Sequence, residues 1–140
     1  MPIPGAPPAR YTSSRQLIAG SDFNNLNDQL NSFQAVTATG VAQADAVAIN
    51  AAQIEILAGS ANNAGARLPI SNPGQEVDVL NNSANSTIIY ATGTDQIQNA
   101  IGAGGYAAAN AGVTMTTLNS ATFKCIKKGF WQTIKTTAGP

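Results

Sequence analysis

GARLPISNPGQEVDVLNNSANSTIIYATGTDQI, residues 65–97, decides the fold class. Val77 and Val79 alternate with Glu76 and Asp78, the period-two signature of a strand with one buried and one wetted face. A second short run rich in β-branched residues, Ser86 to Ala91, follows, and then a third, Thr94 to Ala100. Turn signals separate them at Asn72-Pro73-Gly74, at Asn81 to Asn85 and at Thr92-Gly93. Gly74 permits a positive-φ turn residue. Arg67 beside Pro69 predicts an edge where pairing stops, because proline has no amide to donate. Short strands punctuated in this way predict an antiparallel β-sandwich or barrel-like module.

Working outward, further strands are predicted at Val41 to Ile49, Gln53 to Leu57, Ala66 to Ile70, Val113 to Leu118, Ala121 to Lys127 and Phe130 to Thr136. In the first, Val41, Val47 and Ile49 share one face with Gln43 and Asp45, and four alanines (42, 44, 46, 48) form the other. The last two form a closing hairpin about Lys127-Lys128-Gly129, with Phe123, Cys125 and Trp131 as core pieces. Ile101 to Gly112, rich in Ala and Gly, reads equally as loop, small helix or close-packed strand. Residues 35–140 together make one β-rich module.

Before it the pattern changes. In residues 21–34, Phe23, Leu26, Leu30 and Phe33 are spaced three, four and three apart, as heptad a and d positions are. Ser21 is available as N-cap and Asp22 suits the positive end of a helix dipole. The remaining positions are mostly asparagine, a weak helix former, so such a short helix needs partners. Those partners are either the chain's own sheet or, as the composition favours, further copies packed around an axis. Residues 1–20 hold four prolines in the first eight positions. They predict an extended arm with apolar anchors Ile3, Tyr11, Leu17 and Ile18, and with Arg10 and Arg15 placed to meet carboxylates on a partner.

Composition sharpens the oligomer expectation. The chain has 25 alanines against 29 Leu, Ile, Val and Phe combined, so large side chains for a private core are scarce. Seven basic and seven acidic residues cancel, which argues against a nucleic-acid partner. The longest apolar runs fall far short of the roughly 20 residues of a membrane span. The first twenty residues lack the continuous apolar region of a signal peptide, so synthesis and residence in the cytoplasm are expected. Cys125 is the single cysteine and histidine is absent, which removes the usual zinc ligand sets and the commonest catalytic base. Glu76 and Asp78 are alternate residues on a wet face, better read as solubility than as an acid pair. Asp45, Glu55 and Asp95 could be gathered by trimer symmetry into a cation site, but structural salt or solvent contact is the better reading. The residues call for no cofactor and no enzymatic activity.

The stretch Gly65 to Ile97, followed by SATFKCIKKGFWQTI (Ser120 to Ile134), resembles a β-rich module of tailed-phage virion proteins. Its marks are the R-L-P start, the G-x-E-V-x-V-x-N strand, the aliphatic-Y strand ended by T-G, and A-x-F-x-C leading to G-x-W. The resemblance implies a structural protein, commonly trimeric, of the head-decoration, cement or head-fibre type. It would be made in the host cytoplasm and carried on the capsid exterior, with the major capsid protein and its own copies as partners. Phe23, Leu26, Leu30 and Phe33 would then form the oligomer interface. Ile3, Arg10, Tyr11, Arg15, Leu17 and Ile18 would touch the capsid. The alternative is a tail-fibre or adhesin-like host-binding module. Lys127-Lys128 in the last turn departs from the pattern.

Overall fold

The computed structural model describes residues 32–98, 108 and 110–137. They form ten strands: β1 (Phe33–Ala38), β2 (Val47–Ala48), β3 (Gln53–Gly59), β4 (Ala64–Arg67), β5 (Glu76–Asn81), β6 (Thr87–Tyr90), β7 (Gln96–Gln98), β8 (Val113–Met115), β9 (Ser120–Lys127) and β10 (Phe130–Thr137). Two sheets result, one of six strands in the order β1-β3-β5-β9-β10-β7 and one of four in the order β2-β4-β6-β8. From β1 to β8 successive strands belong to alternate sheets.

That alternation overturns the antiparallel expectation. Each time the chain returns to a sheet it has crossed through the other one, so it runs in its former direction. β1, β3 and β5 are mutually parallel in the larger sheet, as are β2, β4 and β6 in the smaller. Only β8, β9 and β10 introduce antiparallel neighbours, against β6, β5 and β9 respectively. The fold is mainly β, with two mixed sheets, and its first part is wound like a short solenoid.

Strand parity decides what lies between the sheets. Val77 and Val79 are buried while Glu76 and Asp78 are exposed, as the alternation predicts. Ile54 and Ile56 stack beside Val79 and Asn81 by parallel register. From the hairpin come Phe123, Cys125 and Trp131, and Trp131 and Phe123 are the largest fully buried side chains. Complete burial of each such side chain contributes roughly 1.5–3 kcal/mol, so the hairpin anchors the core.

Three further expectations are corrected. Phe33 and Gln34 are not helical; they open β1, with Phe33 opposite Gln53. Val36 and Ala38 alternate inward along that strand, and Leu57, an extra residue in β3, shifts the register between Val36 and Thr37. Val41 to Ile49 is not one strand. Gly40 turns the chain at φ +68°, a 3-10 turn occupies Gln43–Asp45, and only Val47–Ala48 pairs. Arg67 does not mark a sheet edge either, since β4 lies between β2 and β6. The chain does leave the sheet there: Leu68 makes the last bond, to Tyr90 O at 2.8 Å, and Pro69 follows.

The alanines and glycines have a packing role. Ala64, Gly65 and Ala66 are buried on both faces of β4. A methyl group on Gly65 would lie 2.8 Å from the Tyr90 ring and 2.9 Å from Ala46 Cβ. Tyr90 Oη in turn donates to Val41 O at 3.0 Å. Small residues thus let the 41–46 loop and a tyrosine ring close over the back of the smaller sheet.

Candidate interaction surfaces

Among the described residues the most developed surface is the outer face of the six-stranded sheet. β1, β3, β5 and β9 together line a groove of about 580 Å³ there. Phe33, 61% exposed, stands at the β1 end, and Leu80 projects from β5. Polar groups alternate with them: Gln53 and Glu55 on β3, Asp78 on β5, Ser120 and Thr122 on β9. Two of these acids already have partners. Asn82 Nδ2 donates to Glu55 Oε1 at 2.8 Å, and Thr122 Oγ1 donates to Asp78 Oδ1. Glu76, beyond the groove, pairs with Lys124 at 2.7 Å.

Other apolar side chains also face outward. Leu57, Ile126 and Ile134 leave the same sheet toward solvent, and Val41 and Ile70 lie exposed elsewhere. The clue to them is readable: Leu80 and Ile126 have the same strand parity as Asp78 and Lys124, so an apolar residue sits where the pattern demands a wet one.

At the hairpin tip Lys127 Nζ lies 4.2 Å from the Phe130 ring centroid, a cation–π contact that holds one lysine back. Lys128 is exposed. A second groove, of about 480 Å³, lies around Arg67, Asn72 and Gln75, with Ile49, Leu68, Pro69 and Ile70 among its apolar lining. Arg67 Nη1 donates to Gln43 O at 3.3 Å, so this guanidinium ties β4 to the 3-10 turn.

The buried chemistry is structural. The side chain of Asn81, fully buried, makes four hydrogen bonds: Nδ2 donates to Asn85 O and Met115 O, each at 2.9 Å, and Oδ1 accepts from Ser83 N and Ser83 Oγ. Burial, and then the negative charge of Asp95, push the Cys125 thiol up from its ordinary range. Its Sγ donates to Lys127 O at 3.3 Å, which also holds the proton. Asp95 Oδ2 accepts the Ser71 amide, and Ser71 Oγ accepts the Gly129 amide at 2.7 Å, joining the β4–β5 connection to the hairpin turn. No three acidic or thiol groups gather at metal-binding spacing among the described residues.

Of the residues predicted to make contacts, only Phe33 is described. Phe23, Leu26 and Leu30, with Ile3, Arg10, Tyr11, Arg15, Leu17 and Ile18, lie outside the described residues, as does most of Ile101 to Gly112. No helix of the described residues is long and apolar enough to cross a membrane. Comparison with family models, with characterised proteins and with solved structures gives no match.

Proposed function

We propose that the protein is a structural component of a tailed-phage particle, a homotrimer that decorates or cements the capsid exterior and has no enzymatic role. The observation that supports this most is the pair of stretches Gly65 to Ile97 and Ser120 to Ile134. They carry the virion-module resemblance, and they fold into adjoining parts of one core through β5–β9 pairing. The exposed Phe33, Leu57, Leu80, Ile126 and Ile134 add apolar surface of the kind that copies or a capsid would cover. The major capsid protein is the partner, and residues 1–20 are the arm that reaches it. Light scattering on the purified chain is expected to give three times the 14.3 kDa protomer mass. A stable monomer at micromolar concentration would overturn the trimer.

The parallel winding of β1 to β6 favours a second reading, a tail-fibre or adhesin-like module, because wound strands stack into shafts. Copy number on purified virions separates the two. Hundreds of copies per particle support head decoration, and a handful support the tail.

A further inference from the structure

We propose that the groove beside Arg67 binds a carboxylate-bearing sugar, of the uronic acid kind, and that the Arg67 guanidinium takes the carboxylate. The groove shares no residue with the one on the six-stranded sheet. The proposal stands whether or not the protein belongs to a virion.

Arg67 carries the argument. It is partly buried, it lines the groove, and it forms no ion pair among the described residues. Arginines withdrawn from water are normally paired with carboxylates, because a guanidinium otherwise loses hydration without compensation. Nor is the side chain loose. Nη1 donates to Gln43 O at 3.3 Å, and Gln43 is itself anchored by Nε2 bonds to Ala91 O at 2.6 Å and Gly93 O at 3.0 Å. That is the one side-chain bond of Arg67 among the described residues, so most of its N–H donors are available in a fixed plane. Such a held fork suits the two parallel hydrogen bonds of a carboxylate.

The rest of the lining selects the ligand. Arg67 is its single charged residue. One guanidinium balances a carboxylate, whereas a doubly charged phosphate would be left half neutralised. Asn50 and Asn72 add amides suited to ring hydroxyls, and Thr92 Oγ1, which donates to Leu68 O at 2.5 Å, keeps its oxygen as an acceptor. Gln75 has its Oε1 buried with no hydrogen-bond partner, and buried amide oxygens are rarely left so. A turn of that side chain toward the groove gives it a ligand hydroxyl. Ile70, 67% exposed, and Pro69 offer an apolar wall to the C–H face of a sugar ring. The volume of about 480 Å³ is also that of a small-ligand site, which spans roughly 300–1,000 Å³.

The test uses the full chain and titrates glucuronate by amide NMR, with glucose as the neutral counterpart and inorganic phosphate as a simple anion. Glucuronate is expected to shift the signals of Ile70, Asn72 and Gln75 and to bind about tenfold more tightly than either control. Signals that stay in place, or equal binding of glucose or phosphate, overturn the proposal. Ile70→Asp and Ile70→Asn then read the charge at an exposed position that the core does not need. Aspartate is expected to weaken glucuronate about tenfold relative to asparagine, through repulsion of the carboxylate. Equal affinities of those two variants overturn the carboxylate reading even if changes at Arg67 disturb the 3-10 turn. Arg67→Lys keeps the charge and loses the fork, so with the melting temperature held it is expected to weaken binding several-fold. Unchanged affinity in that variant removes Arg67 from the site.

Discussion

The wound part, β1 to β6, and the closing hairpin, β9 and β10, build one core by different means. In the wound part the strands are parallel, and small inward residues, Ala38, Ala64 and Ala66, sit among the aliphatic Ile54, Ile56, Val77, Val79 and Ile89. Its layers close because glycine and alanine let loops approach. The hairpin contributes Phe123 and Trp131 from antiparallel strands that pair through most of their length. The two largest buried side chains thus both come from the hairpin, whereas the wound part packs aliphatic side chains around small residues. The comparison implies that single substitutions in the hairpin act through lost volume. Those in the wound part act through lost hydrogen bonds or lost space.

The largest effect is expected at the hairpin. Trp131→Ala removes the largest buried side chain, and such truncations cost roughly 3–5 kcal/mol. Chemical denaturation is the measurement. A loss below about 1 kcal/mol would mean that the wound part is stable without its aromatic anchor, contrary to the usual cost of such cavities. If the melting temperature held while glycan or cell binding disappeared, Trp131 would belong to a binding site.

Next comes Asn81→Leu, which keeps the volume at the end of β5 but strips four hydrogen bonds. Each buried group left unpaired costs about 1–3 kcal/mol, and water reaches some of them, so a total of about 2–3 kcal/mol is expected. Hydrogen exchange locates the damage. The comparison predicts that protection falls first in β5, β6 and β8, whose connections Asn81 ties together through Asn85 O and Met115 O. Uniform loss across the hairpin would instead mean that the two regions open as one unit.

The same contrast explains what could be read from the sequence. β5 and β9 were legible because polar and apolar residues alternate from Glu76 to Val79 and from Ala121 to Cys125, and β10 because Lys127-Lys128-Gly129 marks the turn before it; Gly129 indeed sits at φ +86°. Gly74 likewise adopts the positive φ its turn requires. Parallel winding was not legible. A period of two fixes which face is buried but not which strand lies alongside, and the alternation between sheets depends on contacts far apart in sequence. β1 escaped notice because it contains no charged residue and Phe33 happens to sit three positions after Leu30. In Val41 to Ile49 alternate alanines fit a strand, yet they fit a bend equally well, and Gly40 decided the matter. The outward groove was half legible through the misplaced Leu80; its other wall, Phe33, was assigned to a helix.

The smallest effect tests whether the outer face of the hairpin contributes at all. Lys124 on β9 and Glu76 on β5 are directly opposite and bridged at 2.7 Å, across the junction between the wound part and the hairpin. Their side chains are 46% and 52% exposed, however, so water and salt screen the attraction and two mobile side chains lose freedom. A double-mutant cycle with Glu76→Gln and Lys124→Met is expected to give a coupling of about 0.2–0.5 kcal/mol at low salt that fades by about 1 M salt. Coupling well above 1 kcal/mol, insensitive to salt, would show that this pair is shielded in solution by material lying over the sheet.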